Sequence, residues 1–190
     1  CLDPGLVTKP IFAQLYAGVV MSGTLKPVFM HKDLLGITRA VEREYASPFP
    51  PENKLTIIIP ETSTKFNLRG EAMYQLIAAK CGELAELIPG NVAVFFPSYD
   101  LRDKIAYFIK TTKQLLWEKS EMSKEDKEAL LVAFDAGKEE GGVLLGVTGA
   151  NFAEGVDFPG NLLNGVINVG LPLARPDLTT REIIAYYEKK

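Results

Sequence analysis

Residues 146–160 read GVTGANFAEGVDFPG, and they lie between two apolar runs, Val143-Leu144-Leu145 and Gly165-Val166-Ile167-Asn168-Val169. Four glycines and two carboxylates, Glu154 and Asp157, separate what look like two strands. A strand that is apolar throughout must be covered on both faces, which is the condition of a parallel sheet under helices. A flexible, acidic loop between two such strands belongs at the sheet's rim.

The rest of the chain extends that pattern. Val92-Ala93-Val94-Phe95-Phe96 is a second wholly apolar strand, ending at Pro97-Ser98-Tyr99. Further strands are expected over 17–21, over the β-branched 55–59 (LTIII) and over 114–117. Helices are expected over 28–36, stopped by Gly36, and over 70–88, where Met73, Leu76, Ile77, Leu84, Leu87 and Ile88 recur at three- and four-residue steps. Two more are expected over 101–110, with Asp100 as N-cap, and over 123–139, where Ser123 and Asp126 suit a capping box. Pro48, Pro50 and Pro51 mark a loop. Strands alternating with helices predict an α/β fold, a parallel sheet with helices on both faces. Ligands of such sheets bind beyond the strands' C-terminal ends. Ser22-Gly23-Thr24, Ser98-Tyr99, Thr148-Gly149 and Gly170-Leu171-Pro172 are therefore expected to share one rim.

Bulk properties exclude several classes. The 190 residues suit one domain, or one domain with an attached piece, and 47% hydrophobic content supports a core. A net charge of -3 gives no overall field to coat nucleic acid or an anionic membrane. Two cysteines, Cys1 and Cys81, build neither a disulfide framework nor a cysteine-rich metal site, so no metal is expected in this chain. No run has the apolar length of a membrane span, and a cytoplasmic location, or a nuclear one in a nucleated source, is expected. Neither G-x-x-x-x-G-K-[ST] nor an Asp-Glu pair after an apolar strand occurs, so the usual phosphate cradle and Mg²⁺ acids are absent. The opening Cys1-Leu2-Asp3-Pro4, without Met, and an unfinished helix over 179–190 read as parts of a longer protein.

The rim loops offer hydroxyls and backbone amides. Ser22, Thr24, Ser98 and Thr148 could donate to phosphate oxygens, or could simply form turns and helix caps. Glu154 and Asp157 admit a metal site, acid–base chemistry, or a scaffold role in which they accept loop amides and hydroxyls while one also meets a ligand hydroxyl such as a ribose. His31, the single histidine, has no nucleophile elbow to serve and suits a helix surface. Lys65, Arg69, Arg102, Lys104, Lys110 and Lys113 alternate with acids and read as solvated faces. Tyr16, Tyr99 and Phe152 suit an aromatic core or stacking on bases.

The segments CLDPGLVTKPI, VVMSGTLKP, VFFPSYDLRDKI, GANFAEGVDFPG and VINVGLPLARPD occur in that order along nearly the whole chain. Their order resembles the second motor domain of superfamily 2 DNA helicases of the XPD type, with DinG as the nearest cousin. The resemblance implies a RecA-like fold, for 26–190, after a first piece, 1–25, that ends the first motor domain and carries the hinge. It implies ATP- and Mg²⁺-driven 5′→3′ movement along single-stranded DNA in DNA repair, nucleotide excision repair included. Ser22, Gly23 and Thr24 then match the motif linking nucleotide and DNA sites. Ser98 and Tyr99, with Thr148 and Gly149, match the DNA-facing rim. Glu154, Gly155 and Asp157 match the motif between ATP cleft and DNA, in a loop that reshapes on turnover with its carboxylates orienting loop amides.

The family's Gln-x-x-Gly-Arg-x-x-Arg motif, expected beyond Lys190, is missing from this chain, as are the phosphate-binding lysine, the Mg²⁺ acids and the iron–sulfur cysteines of the first motor domain. The resemblance implies the first motor domain and repair or transcription subunits as partners. Two rival readings use the same rim: a non-catalytic α/β module docking a repair or transcription partner, and a sugar-nucleotide or phosphate enzyme.

Overall fold

A computed structural model describes residues 3–171, 173 and 177–189. Cys1 and Leu2 of the first motif, Pro172 of the last expected rim loop, and Ala174, Arg175 and Pro176 of the final motif lie outside them. In chain order the elements are α1 (Gly5–Gln14), α2 (Val28–Leu35), α3 (Glu71–Leu87), β1 (Val92–Phe96), α4 (Tyr99–Ala106), β2 (Gln114–Trp117), α5 (Lys124–Ala136), β3 (Gly142–Val147), β4 (Gly165–Asn168) and α6 (Leu178–Glu188). They divide between two units, one of residues 1–56 with 175–190, the other of residues 57–174.

The larger unit holds one sheet ordered β2-β3-β1-β4, parallel throughout. Val92 lies opposite both Val143 and Gly165, so the central strands run level. The two-residue strand period divides the core into two layers. Val92, Val94, Phe96, Val143 and Leu145 face α3 and α4, while Ala93, Phe95 and Leu144 face Phe134 of α5 and Phe152 of the following loop. Helices thus cover both faces, as the apolar strands require.

Local sequence explains most boundaries. Ser123 accepts from the Asp126 amide, and Asp126 accepts from the Ser123 amide, closing the expected capping box on α5. On α4 the cap is Ser98, whose Oγ accepts from the Leu101 amide; Asp100 instead pairs with Lys104 one turn on. The helix start is displaced because an extended residue, not one already helical, can turn its side chain back onto the first free amides. The buried stripe of α3 is Ile77, Ala78, Cys81, Gly82 and Ala85; of the six expected apolar positions Ile77 is buried, while Leu76 and Leu87 are exposed. Small residues let this helix approach closely, and a Cβ on Gly82 would lie 2.4 Å from the Lys110 carbonyl oxygen.

Two expected strands do not form. Residues 17–21 and 55–59 take no strand structure, and Val19 (87%), Met21, Leu55 and Ile58 are exposed. β-branched residues favour a pleated, half-buried surface, and without a neighbouring strand the preference has nothing to act on. In the smaller unit, helix α1, which has no counterpart among the sequence-based expectations, joins α2 through the Thr8 hydroxyl, which donates to the Leu35 carbonyl. Tyr186 of α6 donates to Asp3 at 2.6 Å. No apolar side chain described in this unit is buried.

Candidate functional site

Parallel register puts every strand's C-terminal end on one edge. The ladder continues one residue past the strands: Glu118 donates its amide to Leu145, Thr148 to Phe96 and Val169 to Phe95, at 3.1, 2.9 and 2.9 Å. Ser98-Tyr99, Glu118, Thr148-Gly149 and Gly170 therefore emerge together. Three of the four expected loops share this rim. Ser22-Gly23-Thr24 follows no strand; it is an exposed turn of the smaller unit in which the Thr24 amide donates to Ser22 Oγ at 3.2 Å.

One buried carboxylate organises the rim. Glu118 is 0% exposed. Its Oε2 accepts from the Val147 amide at 2.9 Å. Its Oε1 accepts from the Asn151 amide at 2.7 Å, from Asn151 Nδ2 at 3.0 Å and from the Tyr99 hydroxyl at 2.9 Å. The Lys119 carbonyl accepts from the same two side chains, at 3.0 Å from Asn151 and 3.3 Å from Tyr99. Buried charge is costly unless hydrogen bonds replace its water, and here four donors do so. Burial, the hydrogen bond to Glu118 and the nearby Glu118 charge push the Tyr99 phenol up to about 12.

Arg102 completes the arrangement. It is 6% exposed, a correction to its reading as a solvated base. Its Nη1 donates to the Glu118 carbonyl, its guanidinium pairs with Asp103 at 2.8 Å, and it lies over the Tyr99 and Trp117 rings at 4.9 and 5.2 Å. A planar cation can stack and donate at once, which suits Arg here better than Lys. Lys113 is also not solvated: its Nζ donates to Gly90 at 2.6 Å and to Ile88 at the opposite end of the sheet.

Glu154 and Asp157 are exposed, and among the described residues neither accepts a hydrogen bond. The scaffold role expected of them falls to Glu118, because a buried acceptor holds an amide more firmly than one that water can displace. Gly149 and Gly155 take φ of +75° and +72°, and a Cβ at either would meet nothing within 4 Å. Glycine here serves conformation, while the Thr148, Ala150 and Asn151 amides around Gly149 are bonded within the protein, to Phe96, Val147 and Glu118. Ser98 Oγ is exposed and already occupied as a cap; Thr148 is half-buried. Phe152 is core. Sequence reasoning passed over Glu118, Asn151 and Arg102. The available signal was an acid placed directly after the apolar strand QLLW, at the rim.

The described residues contain no group of three or more His, Cys, Asp or Glu able to hold a metal. Cys81 is buried, and burial pushes its thiol up to about 12, so it does not fit as a cluster ligand. For a nucleotide, the exposed glycines Gly149 and Gly155 and the exposed carboxylates of Glu154 and Asp157 fit contacts to a ligand's polar groups. The chain has no lysine-bearing phosphate cradle. No described helix is long and apolar enough to cross a membrane.

Parallel strands, helices on both faces and polar loops gathered at one rim define a RecA-like α/β domain. Residues 81–190 match the model of the helicase C-terminal domain family, and the chain belongs to that family. It is similar to the general transcription and DNA repair factor IIH helicase subunit XPD/RAD3 of Saccharomyces cerevisiae, 25% identical over 188 residues that make up 90% of this chain and 24% of that protein. It is also similar to the ATP-dependent DNA helicase CHL1 of Scheffersomyces stipitis, 28% identical over an alignment of 206 positions that covers 97% of this chain and 24% of that one. A solved XPD helicase superposes with a TM-score of 0.54 at 24% identity over 67% of this chain and 22% of the other, which shows the fold. The chain spans about a quarter of the length of these relatives. The XPD-type resemblance carried by the motifs agrees with all three.

Proposed function

We propose that this chain is the second motor domain of an ATP-dependent DNA helicase of DNA repair, turning ATP hydrolysis into 5′→3′ movement along single-stranded DNA. The family match supports it, and the observation that carries it is the shared rim, where Ser98-Tyr99 and the loop over 148–157 emerge side by side. In this reading Ser98, Tyr99, Thr148 and Gly149 line the DNA track, and the Ser98 and Thr148 hydroxyls meet backbone phosphates rather than base edges. Glu154, Gly155 and Asp157 face the ATP cleft, and Asp157, exposed and without a protein donor, is free to accept from a nucleotide hydroxyl. Ser22, Gly23 and Thr24 link the two sites, and residues 1–25 end the first motor domain, with the hinge after Thr24. The unburied apolar residues of that segment, Val19 and Met21 among them, support a covering surface supplied by another domain.

ATP with Mg²⁺ supplies the driving phosphoryl transfer, and the groups that act on the γ-phosphate come from outside this chain, as does the iron–sulfur cluster. DNA-repair or transcription subunits are further partners in this reading, and its location is cytoplasmic, or nuclear in a nucleated source. The test is Asp157→Ala in the full-length protein, with DNA-dependent ATPase and unwinding measured side by side. Unwinding should fall while single-stranded DNA binding persists. Unwinding that survives the exchange would remove Asp157 from the cleft and weigh against the assignment.

A further inference from the structure

We propose that Glu118 is the positioning residue that makes the two rim loops move as one, a role that rests on the motor function above. Its carboxylate is shared. Tyr99 donates to it where the loop after β1 enters α4, and Val147 and Asn151 donate to it from the end of β3 and from the loop that runs on through Glu154 to Asp157. Among the described residues no cationic side chain touches the carboxylate; Arg102 reaches its backbone carbonyl instead. The buried charge is therefore balanced by donors from both loops together. If one loop withdraws, a charged oxygen loses donors inside a site that water does not reach, and the remaining contacts weaken. Bonds to an ionised acceptor are about twice as strong as neutral ones, so the penalty for separate movement is large. The Lys119 carbonyl, accepting from both Tyr99 and Asn151, repeats the connection one residue on.

Arg102 supports the same unit from below. Its guanidinium lies over the Tyr99 ring and binds the Glu118 carbonyl, so the phenol and the carboxylate share one backing. Gly146 belongs to it too: a Cβ there would lie 2.9 Å from Glu118 Oε2 and 2.8 Å from the Phe95 ring. The strand leading into the loop over 148–157 thus makes room for this carboxylate with a glycine.

The experiment compares full-length helicase with its Glu118→Gln variant. Glutamine keeps the shape but turns one acceptor into an NH₂ facing donors. DNA stimulation of ATPase kcat, and base pairs opened per ATP, should each fall about tenfold or more, the scale set by losing a charged hydrogen bond. KM for ATP and the half-saturating DNA concentration should stay within about twofold, since neither ligand touches Glu118. The Tyr99 phenol should titrate lower than in the unsubstituted protein, because the Glu118 charge that helps to push it up is gone while its burial remains. Tyr99→Phe removes one donor and keeps the ring, and should shift coupling the same way by less. Full coupling in folded Glu118→Gln overturns the proposal; if that variant does not fold, full coupling in Tyr99→Phe overturns it. Absence of DNA-stimulated ATPase in the unsubstituted helicase overturns the motor reading itself, and this inference with it.

Discussion

At the scale of single residues, the deciding variable is access to water. Glu118 and Asp157 carry the same group at the same rim, yet one is buried under four donors and the other is exposed with none. Burial also governs how the protein responds to alkali. Burial raises Cys81 from 9.0 to about 12, and burial with the Glu118 hydrogen bond raises Tyr99 from 10.0 to about 12. A raised folded value means that the native state keeps a proton the unfolded chain has lost, so stability falls as pH rises. Both contributions are complete below about pH 9 and disappear as pH climbs toward 12. Urea midpoints measured from pH 8 to 11 should fall, and Cys81→Ala should flatten the part of that fall beginning near pH 9. An unchanged slope in that variant would show that the thiol titrates as it does in the unfolded chain. The sequence made such residues hard to read for a plain reason. Letters reveal charge, but a carboxylate's value depends on which donors the fold brings to it, and those of Glu118 come from positions 19 to 33 residues away.

Among the elements, legibility followed self-sufficiency. β1 and β2 match their expected spans because an apolar, β-branched or aromatic run between turns is decisive when a sheet receives it. The capping box on α5 was readable because its partners sit three residues apart. Residues 17–21 and 55–59 carry the same strand signal and form none, since pairing depends on a neighbour that local letters do not name. Helix α3 shows the subtler failure. Periodicity located the helix and Ile77 on its buried face, but the rest of that face is made of small residues because the sheet and the chain after α4 come close. That closeness yields a sign reversal. Gly→Ala inside a helix normally gains about 1 kcal/mol. At Gly82 the added carbon would lie 2.4 Å from a backbone oxygen, which cannot rotate aside. Forcing α3 outward should cost about 1–3 kcal/mol, more than the helix preference returns. Gly82→Ala should therefore lower the urea midpoint, and a rise would show that the helix has room to shift.

For the molecule as a whole, the question is what one rim can do by itself. Phosphoryl transfer is accelerated chiefly by cations and donors fixed around the transferring group. The larger unit supplies exposed loop glycines and carboxylates, while its buried guanidinium, Arg102, is spent between two rings and Asp103. No lysine-bearing phosphate cradle occurs anywhere in the 190 residues. Among the described residues nothing is thus placed to stabilise charge developing on a γ-phosphate, and carboxylates at the rim oppose its approach. Purified alone, the chain should show no ATPase above background, with or without single-stranded DNA. The same charge balance limits DNA binding. With a net charge of -3 and contacts made mostly by hydroxyls and amides, few counterions are released on binding. Affinity should be weak and should fall only shallowly between 50 and 200 mM salt, since the slope scales at about 0.7–0.9 per phosphate neutralised. Fluorescence anisotropy with a labelled oligonucleotide reads both quantities. Weak, shallow binding without turnover is what half of a two-domain track should give. Tight, steeply salt-dependent binding would require a basic face that this rim lacks, and DNA-stimulated hydrolysis would require a phosphate site complete within these residues.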